Sequence, residues 1–328
     1  MQRAFVTGGS GFVGRNLLEV LRGLSVATVA LARSDAAAAA CAGRGARVVR
    51  GDLDSIDVLT AAMTGCDVVF HCAAHVLEWD DPAVFQRINV GGTANVLAAA
   101  IRAGVTRLVH VSTEAVLVGG GPIVQADENR PLPEHPLPMY PASKGAAERL
   151  LRTAGEQMDV VIVRPRFIWG AGDTSVLPLM AAAVRQGQFR WISGGHYKTS
   201  TCHVRNVVEG MILAAERGRR GETYFLTDGP SVEFRSFVSG LLATQGLQVS
   251  GTIPRGLAHT LASAGEALGR LRGYRWKPPV TRVTLKLMGE EVTVNDGKAR
   301  SELGYVGLVN PVEGLAEMRQ ALMNTTRL

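Results

Sequence analysis

Arg3-Ala4-Phe5-Val6-Thr7-Gly8-Gly9-Ser10-Gly11-Phe12-Val13-Gly14 opens with a short apolar run, passes through a glycine-rich turn and enters a helical pattern continued by Leu17, Leu18, Val20 and Leu21. Strand, tight turn and helix in that order predict a nucleotide-binding entrance to an α/β fold. The glycines let backbone N–H groups approach a pyrophosphate, and the helix amino end adds its positive dipole. The spacing is Gly-x2-Gly-x2-Gly, slightly different from the usual dinucleotide fingerprint. Gly8, Ser10, Gly11, Phe12, Val13 and Gly14 are therefore the expected phosphate cradle.

Working outward, a second strand over Val26 to Leu31 delivers Ala32-Arg33-Ser34 to its end. An acidic residue about twenty positions beyond the glycines would bind ribose hydroxyls of NAD. Arg33 and Ser34 stand there instead, and a guanidinium fork with a hydroxyl suits a 2′-phosphate, so NADP(H) is favoured. Asp35 keeps NAD(H) open, because a shifted turn would let it reach the ribose. Helix over Ala36 to Ala42, strand Arg47 to Val49, helix Ile56 to Met63 and strand Val68 to Phe70 continue the alternation. Repetition of this kind predicts a doubly wound parallel sheet, a Rossmann fold. Asp52 and Leu53 follow a strand end, where Asp52 can accept from an adenine amino group or cap the next helix.

His71-Cys72-Ala73-Ala74-His75 follows the fourth strand, and its small residues Ala73 and Ala74 let backbone pass close to a flat cofactor. The two histidines straddle a strand end without a third ligand, so no metal is expected. A long helix should run from Pro82 to about Arg102, with Asn89 and Gly91-Gly92 marking a distortion or close packing. Strand Leu108 to Val111 presents Ser112-Thr113 at its carboxyl end. The Pro-rich stretch Gly119 to Pro138 reads as a surface connection into Tyr140-Pro141-Ala142-Ser143-Lys144. Tyrosine and lysine four apart share one helix face, and a nearby ammonium favours phenolate, which would bring a phenol into range as a proton shuttle. The chemistry is placed there.

Strand Val160 to Val163, helices Val176 to Arg185 and Val204 to Glu216, and strand Glu222 to Leu226 follow. Residues 1–165 with 198–232 are assigned to the nucleotide-binding domain. Residues 166–197 with 233–328 are assigned to a smaller, discontinuous substrate domain. Apolar Leu257, Leu261, Leu268 and Leu271 mark a further helix that is too polar to span a membrane, with a surface-lying role left open.

The 328 residues, 46% of them hydrophobic, can bury a large core. Formal charge +6 arises from dispersed basic residues without an accompanying nucleic-acid motif, so no nucleic-acid partner is expected. Cys41, Cys66, Cys72 and Cys202 are scattered, which predicts reduced thiols. The amino terminus lacks the pattern of a signal peptide and no apolar stretch reaches spanning length, so a cytoplasmic protein without an integral membrane segment is expected.

Together with Arg164-Pro165, these motifs resemble the extended short-chain dehydrogenases/reductases, also called the NAD-dependent epimerase/dehydratase superfamily. The likeness runs over about the first 230 residues. Phe167-Ile168-Trp169-Gly170-Ala171-Gly172-Asp173 and His203-Val204-x-Asn206 are most similar to the 3β-hydroxysteroid dehydrogenase branch, which includes the bacterial 2-alkyl-3-oxoalkanoate reductases. Sugar-nucleotide epimerases usually carry an asparagine near Phe167, absent here. Arg205 stands where that branch commonly has an acidic residue. The resemblance implies that Tyr140 is the general acid/base and that Lys144 binds the nicotinamide ribose and lowers the tyrosine's pKa. It further implies that Thr113, with Ser112 as alternative, hydrogen-bonds the reacting oxygen, and that Asn89 supports the proton relay or its geometry. Cys72, Ala73, Ala74, Pro165 and Ile168 would line the cofactor.

The resulting expectation is an NADP(H)-preferring oxidoreductase interconverting a ketone and a secondary alcohol on an apolar substrate such as a steroid, β-keto acyl compound or polyketide-like molecule. A sugar-nucleotide epimerase or dehydratase is the alternative, and a non-catalytic dinucleotide sensor a lesser one. The family also suggests a homodimer through the helices carrying Asn89 and Tyr140.

Overall fold

The alternation of strand and helix builds one large sheet. The computed structural model describes residues 1–325. In chain order the first strands are β1 (Arg3–Thr7), β2 (Ala27–Ala32), β3 (Arg47–Arg50), β4 (Val68–His71), β5 (Arg107–Val111), β6 (Ile123–Ala126) and β7 (Asp159–Pro165). All but β6 join the strand Thr223–Leu226 in a seven-stranded parallel sheet, ordered Thr223–Leu226, β7, β5, β4, β1, β2, β3. The chain moves outward from β1 to β3, then returns to β4 on the other side. That reversal parts the connections at the carboxyl ends of β1 and β4, where Thr7 pairs with His71, and opens the ligand cleft of a doubly wound sheet.

Side chains alternate across the sheet as period-two strands require. Ala4 and Val6 enter one core with Leu17, Leu18 and Leu21, whereas Phe5 enters the opposite core with Leu59, Val96 and Leu151. The helix Phe12–Gly23 presents its leucines every three to four residues, so one stripe is buried. Each of those leucines contributes roughly 1.5–3 kcal/mol through burial.

The predicted helices over 56–63 and 176–185 have the observed bounds, and most strands shift by a residue or two. The long helix from Pro82 to Arg102 is continuous but changes pitch, with Gln86–Gly91 in a π-helical turn between Pro82–Phe85 and Gly92–Arg102. Both expectations for its glycines hold, since a Cβ on Gly92 would lie 2.7 Å from Leu53 Cδ1.

Three expectations need correction. The Pro-rich connection contains β6, which pairs with the strand Val292–Val294 in a second sheet. Its order is Val232–Glu233, Lys198–Thr199, Val292–Val294, β6. Lys198–Thr199, expected on the nucleotide side, belongs to that sheet because Thr199 pairs with Val292. Ala299, Leu303 and Tyr305, expected in the smaller unit, pack instead into the core beneath the helix Val204–Arg217. Cys41, Cys66, Cys72 and Cys202 are all free thiols. Among the described residues no helix is long and apolar enough to cross a membrane.

Candidate active site

The glycine turn fits a nicotinamide dinucleotide. Gly8 has φ of 69°, and a Cβ there would meet Ala73 N at 2.7 Å; one on Gly14 would lie 2.1 Å from the Gly8 carbonyl oxygen. Only glycine permits this closure, which brings the turn directly against Cys72 and Ala73. No side chain caps the following helix, so its first N–H groups remain available to an anion.

At the β2 and β3 ends, Arg33 Nη1 lies 4.0 Å from Asp52 Oδ2, with 72% of the Arg33 side chain exposed. Ser34 caps the helix Asp35–Ala42 by accepting from Ala37 N, and Asp35 pairs with Arg50. Asp52 does not cap the next helix; its Oδ1 accepts from Leu53 N at 2.7 Å. Leu53 is buried under Gly92, and its carbonyl accepts from Asn95.

Beneath the cleft runs a polar chain that fixes its own proton positions. Ala73 N donates to Thr7 Oγ1, which lies 2.7 Å from His71 Nδ1. His71 Nε2 lies 3.0 Å from Thr93 Oγ1, and Thr93 donates to the Asn89 carbonyl at 2.6 Å. Because the Thr93 proton is committed there, His71 donates from Nε2 and accepts at Nδ1 as a neutral ring. Burial, aided by the Lys144 charge, pulls the His71 pKa down to about 3. Asn89 extends the frame. Its Oδ1 accepts from His75 N at 2.7 Å, and its Nδ2 donates to the His75 carbonyl and to Ser143 Oγ at 2.9 Å. The loop after β4 is thereby tied to the helix Tyr140–Arg152.

Met139, the residue before that helix, has φ of 69°, a strained value for a residue with a side chain. Lys144, expected to favour phenolate, is held by two acceptors at the strand end. Its Nζ donates to the Val111 carbonyl at 2.8 Å and to His110 Nε2 at 2.9 Å, drawn toward the strand ends that offer these acceptors. Burial lowers the Lys144 pKa to about 8, opposed by Glu148 and Cys72. Burial and the Glu114 carboxylate raise the Tyr140 pKa.

Ser112 and Thr113 part company here. Ser112 Oγ donates to Glu148 Oε1, whose carboxylate is clamped by Arg164. Thr113 faces Tyr140 and donates to Glu114 Oε2 at 2.8 Å. Glu114 in turn pairs with buried Arg166 at 3.1 Å. Sequence reasoning missed Glu114, Arg166 and His110. Their signal was positional, since each lies at or next to a strand's carboxyl end, but nothing distinguished them there from surface charges or a core histidine.

The sequence from residue 4 to 226 matches the profile of the NAD-dependent epimerase/dehydratase family. The chain belongs to that family. Among curated members it is 51% identical to a 4-hydroxy-2-methyl-3-oxo-4-farnesyl-3,4-dihydroquinoline-1-oxide ketoreductase of Stigmatella aurantiaca, covering 97% of this chain and 96% of the relative. It is 32% identical to a 2-alkyl-3-oxoalkanoate reductase of Stenotrophomonas maltophilia, covering 97% and 98%. Its fold matches the dTDP-glucose 4,6-dehydratase of Streptomyces venezuelae solved with NAD and DAU bound, with TM-score 0.75, 25% identity and 99% and 98% coverage. As an epimerase/dehydratase-family member of the reductase kind, the chain is an oxidoreductase working between ketone and alcohol with a nicotinamide dinucleotide. The second motif of the branch proves to be an anchor. Asn206 Nδ2 donates to Asp228 Oδ1 and the Val309 carbonyl, while Arg205 pairs with exposed Glu317. Pro165 closes β7 and Ile168 pairs with Cys202.

Proposed function

We propose that this enzyme interconverts a ketone and a secondary alcohol on a predominantly apolar substrate, prefers NADP(H), and uses Tyr140 as general acid/base. One observation carries the reading: the Tyr140 ring joins Trp79, Phe85, Met139 and Tyr274 in an apolar cluster while its hydroxyl faces Thr113 and Glu114. A wall of that kind suits a hydrocarbon substrate whose single polar oxygen must reach the phenol. The farnesyl and alkyl groups in the relatives' names fit the same picture.

Bound cofactor supplies the hydride in reduction or accepts it in oxidation. Tyr140, kept protonated at neutral pH by its raised pKa, gives its proton to the oxygen as the carbonyl becomes an alcohol. Thr113 donates to the same oxygen once its hydroxyl turns away from Glu114. Lys144, with two protons committed to His110 and Val111, retains a third for a ribose hydroxyl. Asn89 holds the geometry by tying His75 to Ser143. Gly8, Ser10, Gly11, Phe12, Val13 and Gly14 cradle the pyrophosphate, Asp52 accepts from adenine, and exposed Arg33 with Ser34 receives a 2′-phosphate. Cys72, Ala73, Ala74, Pro165 and Ile168 line the nicotinamide end. Residues 166–197 and much of the chain beyond 233 shape the substrate side. A homodimer through the helices bearing Asn89 and Tyr140 completes the reading, and sedimentation as a monomer would refute that part.

A panel of apolar ketones with NADPH or NADH, followed at the nicotinamide absorbance band, tests the proposal. Net oxidation of cofactor, faster with NADPH, is expected, and Tyr140→Phe should lose about 10²–10⁴-fold in turnover. Near-normal turnover by that variant sinks the role of Tyr140. Turnover without net absorbance change would indicate an epimerase or dehydratase instead.

A further inference from the structure

The helix Arg255–Leu271 wears its hydrophobic residues on the outside. Leu257, Leu261, Leu268 and Leu271 are 53%, 51%, 39% and 86% exposed, and exposed Ala264 continues their line. Successive steps of four, three, four and three residues keep all five on one narrow stripe. The inward face is made instead of Ala258, Ala262, Glu266 and Gly269. Single exposed leucines are ordinary, but an aligned row along four turns marks a contact surface.

Charge around the stripe identifies what it contacts. The helix's one carboxylate, Glu266, is buried and held by Arg270 and Arg282, so its outward face carries no negative group. At the carboxyl end Arg272, Arg275 and Lys277 make no ion pair among the described residues, and the Arg272 guanidinium lies 5.9 Å from the Trp276 ring centre. A second copy packed helix to helix across this stripe would bring these cations no acid from the matching helix, whose one carboxylate is buried. Leucines flanked by unpaired cations and an indole are the pattern of a helix lying in an acidic lipid surface.

We infer that the helix Arg255–Leu271, with the basic turn after it, docks the enzyme on anionic bilayers and presents the substrate side to the membrane. The same helix backs onto the site wall. A Cβ on Gly269 would lie 2.4 Å from Trp79, and Trp79 packs against Tyr274 at a tilt of 44° with ring centres 5.5 Å apart. Both belong to the cluster that contains Tyr140. Exposed Val76 and Leu77 sit on the loop leading to Trp79. A hydrocarbon substrate dissolved in the bilayer would thus meet the protein at the element next to the phenol. Docking goes beyond the proposed chemistry and is measured without turnover, so the two can fail separately.

Flotation of the full-length protein with vesicles decides the matter. Binding to vesicles of equal parts phosphatidylcholine and phosphatidylglycerol should exceed binding to phosphatidylcholine alone by about tenfold or more. The double variant L261E/L268E, whose changes are solvent-facing, should fold with unchanged circular dichroism and lose vesicle binding. The triple variant R272Q/R275Q/K277Q should lose the preference for the acidic lipid. Wild-type protein that ignores both vesicle types, or leucine variants that float like wild type, would overturn the inference. So would sedimentation velocity showing that L261E/L268E turns a dimer into a monomer while the wild type ignores vesicles, because a second copy would then cover the stripe.

Discussion

Two buried glutamate–arginine pairs flank the end of β7 and behave differently. Glu148–Arg164 is bidentate, with side chains 0% and 2% exposed, and Ser112 supplies a further proton to the carboxylate. Glu114–Arg166 meets through one 3.1 Å contact, and the second carboxylate oxygen takes the proton of Thr113. Arg166 then spreads to Thr199 and the Leu287 carbonyl. The chemistry is shared and the surroundings are not. In the first pair every carboxylate oxygen faces a fixed donor, so its work is structural. In the second the carboxylate abuts the hydroxyls expected to meet substrate, where it raises the Tyr140 pKa.

Breaking the first pair should give the largest stability effect. Glu148→Gln leaves Arg164 charged and without its partner in the core, and should cost about 3–5 kcal/mol, read from denaturant unfolding. A loss below roughly 1 kcal/mol would show that this pair is no more structural than the other.

Acid strains the structural side without mutation. His71 is neutral when folded, its pKa lowered from 6.5 to about 3, so its contribution is present above pH 6.5 and lost as pH falls toward 3. At pH 5 that loss should be about 2 kcal/mol, and His71→Gln should show a correspondingly smaller acid loss. Buried His203, lowered to about 4, adds to the slope in the same direction.

The clearest functional change belongs to Glu114→Gln. Removing the carboxylate removes one of the influences that raise the Tyr140 pKa, so the alkaline rise of alcohol oxidation should move to lower pH. Glu148→Gln, if it folds, should leave that rise in place. A Glu114→Gln profile superimposable on wild type would erase the distinction between the pairs.

The glycine turn, the alternating strands and the Tyr140–Lys144 spacing were legible because each is a local pattern dictated by backbone geometry. The strand β6 was not. It has four residues, includes Gln125 at φ of 46°, and exists by pairing with a strand almost 170 positions away. Glu114 and Arg166 escaped for a related reason: an isolated charge in sequence looks solvated until folding supplies its partner. Spacing placed Lys144 on the right helix face but could not show that His110 and the Val111 carbonyl would claim its protons.

The π-helical turn over Gln86–Gly91 divides the rod from Pro82 to Arg102 into two segments that are out of phase with one another. Each residue of an ordinary helix advances about 100° around the axis. Winding the same residues as an uninterrupted α-helix would therefore rotate one segment against the other by about that angle. Either Asn89 would swing away from His75 and Ser143, or Gly92 would lose its fit over Leu53. The bulge is what allows a single rod to serve both the cleft and the core.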